Sequence, residues 1–163
     1  MNKVHFKNYQ DIYQRSRQVY EQNEEQIMRV LWFAEIQHIG STAIPGSITK
    51  GDVDLNVRVE LKDFENAKEE LQKLYQINQP ENWTLNFASL KDDKKFALPV
   101  GVQLTIFGSK YDDFVRIRDL LISDKKLLEE YNQMKSRYEG KDMEEYRKEK
   151  AEFFEKLRKY SND

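Results

Sequence analysis

The chain contains no cysteine, only three prolines, six glycines and two histidines among 163 residues. Without thiols there is no disulfide framework, no thiolate nucleophile and no cysteine-based zinc site. The two histidines, His5 and His38, are too far apart in sequence to suggest a zinc pair. No apolar run approaches the roughly 20 residues that span a bilayer. Residues 1–11 lack the apolar stretch of a secretory signal, so no membrane association is expected and the expected location is cytoplasmic. A surplus of either charge is also missing: 27 Lys and Arg face 29 Asp and Glu, a net charge of −2. General nucleic-acid binding needs a cationic face and is not expected.

What is present suits a single domain, 1–163, with 39% hydrophobic and 12% aromatic residues to fill a core. The turn-forming residues are concentrated. Gly40, Gly46, Gly51 and Gly101, with Pro45, Pro80 and Pro99, all fall between residues 40 and 101. A strand-rich centre between helical ends follows, with a sheet core about 33–108 and a helical part about 111–160. Phe6, Tyr9, Ile12, Tyr13, Tyr20, Ile27, Val30 and Leu31 recur at helical spacing over 6–31. Residues 33–39 read as a short strand. In 52–59, Val53, Leu55, Val57 and Val59 alternate with Asp52, Asp54, Asn56 and Arg58, which predicts a half-buried strand. A helix is expected over 62–75. Strands are expected at Trp83-Leu85-Phe87, at Phe96-Leu98 and over 102–106. The rest is helical with a break at Gly140, and its interleaved charges read as solvated helix faces.

One stretch carries chemistry: His38-Ile39-Gly40-Ser41-Thr42-Ala43-Ile44-Pro45-Gly46, then Lys50-Gly51-Asp52-Val53-Asp54-Leu55. A strand ending at Gly40-Ser41 lets a ligand approach the backbone, because glycine has no Cβ. Ser41 and Thr42 offer hydroxyls and backbone N–H groups to phosphate oxygens. Asp52 and Asp54, at i and i+2 on a strand, project their carboxylates from one face. Two acids beside a phosphate loop make a hard-oxygen site suited to Mg²⁺ or Mn²⁺ bridging a nucleoside triphosphate. Lys50 is either a triphosphate contact or a solvated loop lysine. His38 either donates to a phosphate or ends its strand as a satisfied imidazole. Arg118 pairs with a phosphate or with an internal acid. Tyr131, Tyr138, Tyr146 and Tyr160 read as helix packing, since no basic groove accompanies them.

Gly-Ser, a spacer of ten residues, then Asp-Val-Asp-Leu is similar to the nucleotidyltransferase signature of the polymerase-beta-like superfamily. The whole His38–Gly46 segment with Thr49–Leu55 resembles the GrpB family more narrowly. The resemblance runs over about 30–160. It includes Val102–Ile106 with Gly108-Ser109, Arg118-Asp119 with Leu121, the Tyr131 to Lys135 spacing, and Tyr146 to Lys150 followed by Phe153. It implies an α+β nucleotidyltransferase fold: a small mixed, twisted sheet flanked by an N-terminal helix and several C-terminal helices. It also implies metal-dependent transfer of a nucleotidyl group from a nucleoside triphosphate to an acceptor hydroxyl of unknown identity. Asp52 and Asp54 would be the metal-holding, catalytic acids, and Gly40 and Ser41 would hold phosphates. The superfamily's third carboxylate has no counterpart here, where the matching strand offers Gln103 and Thr105. A nucleotide-binding module without turnover is the alternative reading, and an interaction protein using its charged helices is another.

Overall fold

A computed structural model describes residues 2–160. The chain begins with β1 (Lys7–Asn8), α1 (Tyr9–Val30) and β2 (Glu35–Ile39). A short turn of 3₁₀ helix at Ser41–Ala43 leads to β3 (Ile48–Thr49) and β4 (Val53–Val59). Next come α2 (Phe64–Leu74), β5 (Gln76–Ile77), β6 (Phe87–Asp92) and β7 (Val100–Ile106). The chain closes with α3 (Phe114–Ser123), α4 (Lys125–Arg137) and α5 (Met143–Tyr160).

Five strands form one sheet in the order β2-β4-β7-β6-β5, and β1 pairs separately with β3. β4 and β7 run parallel, with Val53 opposite Val100 and Asp54 opposite Gly101. The other pairings in the large sheet are antiparallel, so the sheet is mixed. Alternation then sorts the side chains. Val53, Leu55, Val57 and Val59 share a face with Val100, Val102, Leu104 and Ile106, and all are buried. Val19 and Ile27 of α1 and Phe64, Ala67 and Leu71 of α2 close that core. Each such Val, Ile, Leu or Phe side chain contributes about 2 kcal/mol of burial.

The opposite face carries Asp54, Asn56 and Arg58 beside Gly101, Gln103 and Thr105. It is not the water-facing surface that alternation suggests, because Asn56 and Thr105 are both 0% exposed. A second apolar cluster lies on this side of the molecule. Ile117 and Leu121 of α3, Leu127, Tyr131 and Met134 of α4, and Tyr146 and Leu157 of α5 pack together with Ile44 from the loop.

Several local expectations are corrected. Trp83 lies outside any strand; its indole donates to the carbonyls of Asn78 and Ser89 at 3.0 and 3.1 Å, and β6 begins only at Phe87. Phe96 and Leu98 sit in the connection before β7, where Leu98 is buried without strand pairing. Helix α1 starts at Tyr9, three residues later than expected, because Lys7 and Asn8 pair with β3. Its buried Ser16 and Asn23 satisfy themselves on the carbonyls of Tyr13 and Val19. The break between α3 and α4 was not legible as a turn. Asp124 makes it by accepting a hydrogen bond from Leu127 N at 3.1 Å, an N-cap. Among the described residues no helix is long and apolar enough to cross a membrane.

Candidate functional site

The loop between β2 and β4 is held by its own hydroxyls and by α4. Ser41 Oγ lies 2.6 Å from Thr49 Oγ1, Ser47 Oγ donates to the Ser41 carbonyl, and Gly51 N donates to Thr49 Oγ1 at 3.0 Å. From α4, Asn132 accepts from Ile48 N at 2.9 Å and donates to the Gly46 carbonyl at 3.0 Å. Lys135, 1% exposed, donates to the Ile48 carbonyl across the ring of Tyr131. Burial, then the nearby Lys150 and Lys50, holds the Lys135 amine well below the usual lysine range. Asn132→Ala is expected to lower stability by about 1–2 kcal/mol through the two lost bonds. The corresponding drop is a few degrees for a chain of this size. Calorimetry checks this, and an unchanged melting temperature would show that the loop holds without α4.

Asp54 sits where two backbones come closest. A Cβ on Gly40 would lie 2.6 Å from Asp54 Oδ2, and one on Gly101 would lie 2.5 Å from Asp54 Oδ1. The carboxylate thus fills the room that both glycines leave. The sequence argument gave Gly40 to an approaching phosphate; in the fold, Asp54 uses that space. Burial and then the neighbouring Asp52 push the Asp54 carboxyl up to about 6, against the pull of Lys150 and Lys50. Asp52 pairs with Lys50 at 3.4 Å. Lys50 is therefore the partner of an acid and is absent from the cleft wall.

That wall encloses about 430 Å³ between the polar sheet face and the C-terminal helices. The sheet and loop supply Gly40, Ser41, Asp54 and Gln103; the helices supply Arg118, Tyr131, Arg147, Lys150 and Arg158. Lys150 keeps its proton firmly. Tyr131 contributes most to this, with Tyr146, Asp54 and Asp52 adding to it against the cost of burial. Among the described residues, neither the Asp54 carboxylate nor the Lys150 ammonium has a hydrogen-bond or ion-pair partner, and Lys150 lies over the rings of Tyr146 and Phe154.

The remaining expected residues fall elsewhere or are occupied. Thr42 is 2% exposed and donates to the Asp52 carbonyl at 3.0 Å. Its single proton is thereby committed, so the 2.9 Å contact with His38 Nε2 places a proton on that nitrogen. His38 stacks on Tyr20, is pushed down to about 4 by burial and then by Arg118 and Arg17, and is neutral at pH 7. His38 and Thr42 line a separate groove with Tyr13 and Arg17 and do not meet Asp54. Arg118 reaches the cleft but donates to Gln37, to the His38 carbonyl at 2.9 Å and to Asp119, fastening α3 to β2. Thr105 is buried between Asn56 and Asp112. Of the two residues offered for the third-acid position, only Gln103 lines the cleft.

Sequence reasoning missed Gly101, Tyr131, Lys150, Arg147 and Arg158 as cleft residues. A signal for two of them was present. Tyr131–Lys135 and Tyr146–Lys150 are i,i+4 pairs, so each places a phenol and an ammonium on one helix face. Lys150 lies 6.0 Å from the Tyr146 ring centre. Tyr131 and Lys150 turn inward to line the cleft that the C-terminal helices form with the polar sheet face.

Of the two acids expected to hold a metal, Asp54 lines the cleft with no counter-cation at ion-pair distance and with the Gln103 amide near it, while Asp52 precedes β4, pairs with Lys50 and is absent from the cleft wall. A carboxylate and an amide oxygen are ligand types that a hard divalent cation takes. Among the described residues no third acid or histidine completes a cluster.

The fold is nucleotidyltransferase-like. It superposes on Cid1 poly(U) polymerase bound to MgGTP with a TM-score of 0.55 and 16% identity, covering 79% of this chain and 42% of Cid1. On Cid1 with the UTP analogue UMPNPP the TM-score is 0.54 and the identity 17%, over 79% of this chain and 40% of that one. Conserved protein GrpB from Enterococcus faecalis has a TM-score of 0.72 at 19% identity, covering 95% of this chain and 98% of that protein. A UPF0157 protein of Vibrio cholerae serotype O1 is 34% identical over 154 residues, 90% of this chain and 78% of that protein. The GrpB family profile matches residues 3–159, and the chain belongs to the GrpB family.

Proposed function

We propose that the cleft binds a nucleoside triphosphate with Mg²⁺ or Mn²⁺ and moves its nucleotidyl group to an acceptor oxygen. The observation that carries this reading is a carboxylate and an ammonium in one cavity, neither of them in an ion pair. Asp54 needs a cation and Lys150 needs an anion, yet they do not meet each other at ion-pair distance. A metal-bound triphosphate answers both. Cid1, which shares the fold, has been crystallised with MgGTP and, as a single-residue mutant, with MgATP.

Asp52 and Asp54 would hold the metal, which when bound neutralises charge on the phosphates and polarises them. The chain's own groups do the rest. Lys150 holds the non-transferred phosphates as a buried ammonium that stays charged. Ser41 presents its hydroxyl and backbone at the mouth of the loop. Asn132 and Lys135 keep that loop in place from behind. Arg147 adds a second cation whose partner, Glu144, is an exposed i,i+3 neighbour that a ligand readily replaces. Gln103 in place of an acid favours the second reading, a nucleotide binder with little or no turnover.

Calorimetric titration with each nucleoside triphosphate and Mg²⁺ tests the proposal. Lys150→Ala is expected to weaken binding about tenfold, the loss of one charge-assisted contact, and Lys150→Arg to retain part of it. Equal affinity in wild type and Lys150→Ala would overturn the assignment. Mass spectrometry of pyrophosphate and nucleotidylated products separates transfer from binding alone.

A further inference from the structure

We propose that the acceptor is an oxyanion, a carboxylate or a phosphate monoester, and not an alcohol; this rests on the nucleotidyl transfer proposed above. An alcohol must lose its proton as it attacks phosphorus, and a positioned base is what removes it. Asp54, the cleft's unpartnered carboxylate, is given to the metal in this reading, and among the described residues no other group in the cleft is free for that task. Gln103 stands where a third carboxylate would serve, and an amide is not a base. Gly101, opposite Asp54, has no side chain. Thr105, next along the same face, is buried and gives its proton to Asp112 at 3.2 Å. Asp112 itself accepts two hydrogen bonds from Arg58 at 2.8 Å each, which with the Gly108 N–H hold it as a carboxylate. His38 faces the other groove with its Nε2 proton on Thr42. Lys150 is charged, and Asp52 is paired with Lys50. Glu155 lines the cleft but is paired with Arg158.

An oxyanion needs none of these groups. It arrives deprotonated, and the cleft wall offers it a cation, Arg147, one helical turn before Lys150. The same wall is apolar at Phe114, Ile117, Leu121 and Phe154, which suits an acid with an apolar body. In the step itself, the acceptor oxygen forms a bond to the α-phosphorus. The bond from that phosphorus to the bridging oxygen of the β-phosphate breaks. Its electron pair leaves with pyrophosphate, next to Lys150, and no proton moves. The product is a mixed anhydride of the nucleotide with the acid.

The test uses the full chain with Mg²⁺ and the four nucleoside triphosphates, offering phenylacetate, phenyl phosphate or 2-phenylethanol as acceptor. Pyrophosphate release and product mass are read, with hydroxylamine trapping for the acyl anhydride. One of the two acids is expected to react at least about 100-fold faster than the alcohol, the lower range of a general base's contribution. Which acid reacts separates the carboxylate from the phosphate source. Gln103→Glu is expected to raise transfer to 2-phenylethanol and to slow transfer to the acid by like-charge repulsion. In a second readout, calorimetry with a bound α,β-methylene triphosphate should show the reactive acid binding wild type and binding Arg147→Ala more weakly. Nucleotide binding with transfer to the alcohol alone, or with transfer to neither acid, overturns the inference and leaves the nucleotide site standing. Absence of nucleotide binding overturns both.

Discussion

Replacing Asp54 by Asn is expected to remove metal-dependent nucleotide binding and, at the same time, to raise the melting temperature of the metal-free protein. The two effects share one cause. The Asp54 carboxyl lies between Gly40 and Gly101, beside Asp52, and its proton is released only near pH 6 instead of 3.8. A carboxyl whose folded value is raised binds more protons in the native state than in the unfolded chain between those two values. Stability therefore falls as pH rises from about 4 to about 6, and the whole penalty remains at pH 7. Two units correspond to at most about 2–3 kcal/mol, so the neutral amide is expected to gain on the order of 5 °C at pH 7. Below pH 4 wild type and Asp54→Asn should melt together. Bound metal reverses the balance, because a cation beside the ionised carboxylate stabilises it. Melting curves from pH 4 to 7 in chelator, paired with metal–nucleotide titrations, check both arms. A variant that melts like wild type at pH 7 and binds metal and nucleotide equally well would refute the account.

Gly40→Ala is expected to destabilise the fold by about 3 kcal/mol, which for this chain is on the order of 10 °C. Gly40 has φ 76° and ψ −175°, a region that only glycine occupies without strain. Its added methyl would also meet Asp54 Oδ2 at 2.6 Å. Gly101 separates the two contributions. Its backbone is ordinary strand, yet a Cβ there would meet Asp54 Oδ1 at 2.5 Å. Gly101→Ala should therefore cost less stability, about 1–2 kcal/mol of overpacking, while displacing the carboxylate and weakening metal and nucleotide binding as strongly as Gly40→Ala. Thermal melts and titrations of both variants decide. If Gly101→Ala binds nucleotide as wild type does, the seating of Asp54 between the two glycines is not what the site depends on.

The sequence by itself determined the elements that local periodicity writes. The strict alternation of Val53 to Val59 fixed a strand and put Asp54 on the face opposite the valines. The Gly40-Ser41 step and its ten-residue spacing to Asp52 placed a loop against that face, and the resemblance they carry pointed to the fold. The tertiary structure decided what that face meets. Asn56 and Thr105 are fully buried, bonded to each other and, through Thr105, to Asp112 in the segment that leads into α3. Lys150 becomes a cleft residue because α5 returns to face Asp54 across the cavity, although in sequence it is one lysine among many. His38 and Thr42 are neighbours of Gly40 and yet turn away from Asp54, since side chains on a strand alternate and the turn at Ser41–Ala43 reverses the chain. Gly101 acquires its role only from the parallel register that sets it opposite Asp54, 47 positions earlier in the chain. Periodicity is a property of neighbours within a few residues, and it reports which way a side chain points. What it points at is set by packing between segments far apart in sequence, where a phenol, an ammonium and a carboxylate become one site only once the second apolar cluster has formed.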